Sequence, residues 1–108
     1  MDETERILEQ LMEVLRQRRD ADPDNSYVAS LYRDGIPAIT AKIMEEAAET
    51  VEAAEGDAEH LVHEIADLWF HSLVLLALRD LDARDVVEEL RRRFGTSGLE
   101  EKAKRNPG

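Results

Sequence analysis

Between Leu68 and Leu78 the chain offers water almost no polar face: Leu68, Trp69 and Phe70 are followed, after His71 and Ser72, by an unbroken apolar run from Leu73 to Leu78. A helix that is apolar nearly all round has to be covered from several sides. The segment therefore predicts a central helix, buried within the chain or between two copies of it. Asp67 and His71 interrupt the longer run that begins at Ile65, so it does not read as a membrane span.

The remaining segments supply helices to pack against it. From Glu3 to about Asp20, Ile7, Leu8, Leu11, Val14 and Leu15 recur at helical spacing, with Glu and Arg opposite. The breaker cluster Asp22-Pro23-Asp24-Asn25 ends that helix, and Ser26 can cap a short second one that stops at Asp34-Gly35. Pro37 suits the first turn of a third, with a stripe of Ile39, Ile43, Ala47, Thr50 and Ala54 before Gly56. Asp57 caps the fourth, to about Arg79, and Asp82 a fifth that carries Val86, Val87, Leu90 and Phe94. The reading is an all-α bundle of four to five helices over residues 1–95, then a charged tail over 96–108. No strand or repeat is legible.

Acids outnumber bases by 25 to 14, a formal net charge of −11, which repels nucleic acid and anionic membranes. An anionic ligand then has to arrive with cations. With no cysteine, the strong ligands left are oxygen and imidazole. The opening Met1-Asp2-Glu3-Thr4-Glu5 lacks the basic and apolar regions of a signal peptide, and a cytoplasmic protein is expected.

Most carboxylates fall where a solvated helix face would put them. Those of the third and fourth helices do not. At about 100° per residue, Glu46 lies inside the stripe that should face the core, Glu49 over the same edge and Glu45 further round. On the fourth helix Glu64, Asp67 and His71 share an edge flanked by Leu68, Leu75 and Leu78. If the two helices pack antiparallel across Gly56-Asp57, Glu46 and Glu49 converge on Glu64 and Asp67. Four facing carboxylates call for a counter-charge, and an oxygen-only set suits Mg²⁺, with Mn²⁺ as the substitute, far better than Zn²⁺. An ion-paired bundle in which Lys42 and Arg79 neutralise the acids satisfies the same spacing, and periodicity does not separate the two. His71 reads as a hydrogen-bonding core residue beside the acids, and Trp69 and Phe70 as core or subunit contact.

Glu45-Glu46-x-x-Glu49 followed by Glu64-x-x-Asp67 resembles the signature of the all-α, MazG-like nucleoside triphosphate pyrophosphohydrolases. Asp22-Pro23, Ser26-Tyr27-Val28-Ala29-Ser30-Leu31, the segment from Lys42 to Thr50, Gly56-Asp57, Ala66-Asp67-Leu68 and the tail from Ser97 to Ala103 are similar to the phosphoribosyl-ATP pyrophosphohydrolase family from end to end. Two departures stand out: Val28 replaces the usual threonine, and Ile43-Met44 a more common valine-glycine pair. Val28 removes a hydroxyl and is not counted as a site residue.

The resemblance implies hydrolysis of phosphoribosyl-ATP to phosphoribosyl-AMP and pyrophosphate, the second step of histidine synthesis. Its metal ligands would be Glu46, Glu49, Glu64 and Asp67, with Glu45 and Glu46 catalytic. Lys42, Arg19, Ser26, Tyr27 and Ser30 would meet substrate, with Arg16, Arg18 and Arg33 as further phosphate partners. A homodimer is expected, because a short chain with so apolar a central helix gains from mutual burial. The alternatives are a house-cleaning nucleoside triphosphate pyrophosphohydrolase, or a helical interaction module whose acids are structural.

Overall fold

The computed structural model describes residues 2–94, and every regular element among them is helical. Helix α1 spans Glu3–Gln17 and runs into a single 3₁₀ turn, Arg18–Asp20; α2 is Tyr27–Asp34, α3 Ile36–Ala53, α4 Ala58–Leu78 and α5 Ala83–Arg92. The expected tail lies outside the described residues.

Short polar side chains start four of the helices by accepting a free first-turn N–H, a service worth about 1 kcal/mol each. Asp2 takes the N–H of Glu5 at 2.8 Å, Ser26 that of Ala29 at 3.2 Å and Asp57 that of His60 at 3.3 Å. At α5 the caps are reciprocal: Asp82 accepts from the backbone of Arg84 and Asp85 accepts from that of Asp82, both at 2.9 Å. The α2–α3 junction works differently. Gly35 alone separates the helices, at φ +79°, and donates its N–H to Leu31 at 2.8 Å. There is room for a Cβ, whose nearest neighbour would be Pro37 Cδ at 3.9 Å, so the positive φ rather than crowding calls for glycine.

One core joins all five helices: Met12 and Leu15 of α1, Val28 and Leu31 of α2, Ile39 of α3, Leu73, Val74 and Ala77 of α4, and Ala83 of α5. The most extensive contact is between α3 and α4. The connection over 54–57 is too short for anything but an antiparallel hairpin. The Tyr32 hydroxyl donates to the Leu15 carbonyl at 3.0 Å, fastening α2 to the end of α1, and Arg16 joins α1 to Asp82 at 3.0 Å.

Two apolar patches stay open to solvent, and one expectation about packing is corrected. On α4 every residue from Phe70 to Leu78 is buried or half-buried, while Trp69 is 60% exposed and Val62, nearer the start of the helix, 66%. On α5, Val86, Leu90 and Phe94 remain exposed. On α3 it is Ala53, not Ala54, that turns inward, because the helix presents Ile39, Glu46 and Ala53 at seven-residue intervals. By length and composition α4 is able to cross a membrane; within the bundle its Glu64 and His71 are buried.

Candidate functional site

The hairpin brings the acids together across its seam. Glu46 and Glu49 of α3 and Glu64 of α4 each offer a carboxylate oxygen within 4.8 Å of the others. Asp67 belongs to a second group on the same helix, with Glu64 and His63, again within 4.8 Å. The four acids thus fall into two adjoining groups that share Glu64, with Asp67 outside the Glu46–Glu49–Glu64 trio.

Burial makes this crowding costly. Glu46 and Glu64 are buried, and Oε2 of each has no hydrogen-bond partner among the described residues. Burial, then Glu49, Asp67 and the other nearby charge, push the Glu46 carboxyl above the usual carboxylate range; Glu64 is raised first by its contact with Glu49 and then by burial. Two carboxylates can hydrogen-bond only if one keeps a proton. The site must therefore take up protons or bind a cation. Its oxygen donors fit a hard dication such as Mg²⁺, which is commonly held by a few carboxylates and substrate phosphates.

His71 braces the cluster from beneath. Its Nδ1 lies 3.0 Å from the Asp67 carbonyl, which can only accept, so Nδ1 carries the proton. In the neutral ring Nε2 is then the acceptor, and the Tyr27 hydroxyl donates to it at 2.7 Å. Nδ1 is also 4.0 Å from Glu46 Oε1. The N-terminus of α2 is thereby fixed to the acid-bearing face of α4.

The other expected residues divide by position. Glu45 is exposed, outside the acid trio, with Oε2 3.3 Å from Lys42 Nζ. Lys42 also lies close enough to Tyr27 to oppose the upward effect of burial on that phenol. The Ser26 side-chain oxygen accepts its helix-cap bond, leaving its own hydrogen to donate, whereas Ser30 donates to the Tyr27 carbonyl at 2.6 Å. Arg19 is held at the opposite end of α4, by Asp80 at 3.0 Å and the Leu78 carbonyl at 3.3 Å, and lies over the Tyr32 ring. From Asp67 to Leu78 the helix rises about 16 Å. Arg16 pairs with Asp82 and Arg33 with Asp34. The groove between α1 and α5, lined by Glu5, Glu9, Glu13, Asp85 and Glu88, is itself acidic and ill suited to a phosphate.

Sequence reasoning overlooked His60 and His63. His60 Nδ1 is 3.8 Å from Glu64 Oε1, and His63 Nε2 3.3 Å from Asp67 Oδ2. The signal was present, since each histidine precedes its acid by four residues, one helical turn.

A helical bundle that gathers carboxylates across an antiparallel hairpin is the architecture of the all-α, MazG-like nucleotide pyrophosphohydrolases. The model of the family described as phosphoribosyl-ATP pyrophosphohydrolase matches residues 8–94. A phosphoribosyl-ATP pyrophosphatase of Methylococcus capsulatus is 55% identical over 103 residues, 94% of this chain and 98% of that protein. Those of Chromobacterium violaceum and Ruthia magnifica are 53% and 50% identical, covering 94% and 93% of this chain and 94% and 96% of their own lengths. The chain belongs to the phosphoribosyl-ATP pyrophosphohydrolase family, and is an enzyme that hydrolyses a phosphoric anhydride.

Proposed function

We propose that the chain hydrolyses phosphoribosyl-ATP between its α- and β-phosphates, giving phosphoribosyl-AMP and pyrophosphate, as the second step of histidine synthesis in the cytoplasm. Mg²⁺, or Mn²⁺ in its place, is held by Glu46, Glu49, Glu64 and Asp67. The observation that carries this reading is the pair of buried, unpartnered oxygens, Glu46 Oε2 and Glu64 Oε2, on carboxylates that crowd together with Glu49 across the α3–α4 seam. When bound, Mg²⁺ supplies the positive charge that offsets the phosphates and the developing pyrophosphate.

The chain's own groups do the rest. Lys42 turns from Glu45 to a substrate phosphate, which frees Glu45 Oε2 to accept a proton from the attacking water. The Ser26 hydroxyl and the exposed ring of Tyr27 lie at the start of α2, where free backbone N–H groups also favour a phosphate. Ser30 supports that segment from its second turn. Arg19 reaches substrate only by leaving Asp80, an exposed partner that holds it weakly.

The test is pyrophosphate release from phosphoribosyl-ATP with and without Mg²⁺, beside a panel of ordinary nucleoside triphosphates. Mg²⁺-dependent turnover of phosphoribosyl-ATP alone is expected. Turnover confined to the ordinary triphosphates would move the protein to the house-cleaning branch.

The homodimer is part of the same proposal. Met44, Ala48 and Val51 on α3 and Val62, Ala66 and Trp69 on α4 are exposed, and each set repeats at helical spacing. They lie roughly 140–200° around their helices from Glu46 and Glu64, on the outer side of the hairpin. Two copies joined there would cover α4 and leave the acids open. Light scattering should give twice the chain mass, and Trp69→Asp should give a monomer. A monomeric wild type would sink this part of the reading.

A further inference from the structure

We infer that His63, Glu64 and Asp67 form a second cation position, which takes a transition-metal dication of the Zn²⁺ type beside the all-oxygen position of Glu46, Glu49 and Glu64. The inference rests on the reading of Glu64 and Asp67 as cation ligands, and adds a nitrogen donor that the acid motif does not contain.

Three observations carry it. His63 and Asp67 stand one turn apart on α4, with Nε2 and Oδ2 separated by 3.3 Å. An ion with bonds of about 2.0–2.2 Å holds neighbouring donors roughly 3.0–3.5 Å apart, so the two atoms already stand at the spacing one ion imposes. Glu64 offers the third donor, within 4.8 Å of both. Its side chain is only 9% exposed and its Oε2 is unpartnered, so the one carboxylate common to both groups is held in place with bonding capacity unused. Finally, imidazole separates the two positions chemically. Carboxylates alone suit Mg²⁺, whereas one imidazole with two carboxylates suits Zn²⁺, Mn²⁺ or Co²⁺. His63 and Asp67 are on the open side of the helix, with side chains 68% and 40% exposed, which leaves approach for water or a phosphate oxygen.

The neighbouring histidines serve as internal controls. His71 has both ring nitrogens engaged, by Asp67 and Tyr27, and His60 stands 3.8 Å from Glu64.

The experiment uses the full chain with ¹⁵N-labelled histidine in saturating Mg²⁺, titrated with Zn²⁺ and followed by long-range ¹H–¹⁵N correlation of the rings. Zn²⁺ should move the His63 Nε2 resonance and leave those of His60 and His71 in place. His63→Gln should weaken Zn²⁺ binding about tenfold or more, while the Mg²⁺-induced rise in melting temperature stays as in wild type. An unmoved His63 ring, or equal Zn²⁺ affinity in the two proteins, overturns the inference and leaves His63 as the ion-pair partner of Asp67. If Mg²⁺ raises the melting temperature of neither protein, the underlying reading of the acids falls as well.

Discussion

Glu46→Gln is expected to pull activity and stability in opposite directions. Turnover should drop on the order of 10²–10³-fold, the loss typical when one preorganised electrostatic contributor is removed. In chelator, by contrast, the variant should melt at a higher temperature than wild type. Glu46 is buried beside Glu49 and Glu64 with an orphaned oxygen, and a neutral amide of the same shape removes one of three crowded charges while donating to the others. The pH dependence has a definite sign. Because the folded protein holds the Glu46 proton more tightly than the unfolded chain does, its contribution to stability is fully present below the ordinary carboxylate range and is lost as pH rises through the elevated folded value. Metal-free wild type should therefore lose stability across that window, and Glu46→Gln should lose less. Calorimetry in chelator at stepped pH reads this directly. A variant that melts lower than wild type at neutral pH would mean that Glu46 is satisfied in the metal-free protein.

Leu15→Ala should come close to unfolding the domain. Leu15 is fully buried, and its backbone carbonyl receives the Tyr32 hydroxyl, so the cavity would open where α1 and α2 are joined. Truncations of this kind cost about 2–5 kcal/mol, against a total of about 5–15 kcal/mol for an ordinary domain, and should lower the melting temperature by about 10 °C or more. Val14, the preceding residue, is 40% exposed, and its truncation should cost about 0.5 kcal/mol or less. Urea unfolding of the two variants measures the contrast. Equal losses would contradict the inward placement of Leu15.

The helices and their starts were legible because each signal is local. Asp57 and Asp82 cap α4 and α5 with their own side chains, and Pro37 and Gly35 act within a turn of themselves. The convergence of Glu46, Glu49 and Glu64 was also legible, since helical spacing plus one short connection determines it. What failed was the far end of the α3 stripe, where Ala53 rather than Ala54 turns inward. A stripe such as Val86, Leu90 and Phe94 shows that a side is apolar, not that this chain covers it. Periodicity carries no information about a second copy. His63 carries no such mark: a position inside an apolar stripe singles out the acids, whereas an imidazole 68% exposed on the open side of α4 has the pattern of any solvated residue. Likewise the grip of Asp80 on Arg19 joins residues 61 positions apart, a distance over which local pattern says nothing.

All four acids ride on one hairpin, and their register is counted through the turn at 54–57. Each residue of a helix carries the next about 100° round the axis. One amino acid gained or lost within α4 before Glu64 would turn Glu64 and Asp67 out of the seam while leaving every side chain chemically intact. The loop over 21–26 is under no such count, and extra residues there would cost only the slow logarithmic penalty of a longer loop. Insertions and deletions should thus be tolerated between α1 and α2 and purged between Glu49 and Glu64, where the length of the chain, and not only its letters, is under selection.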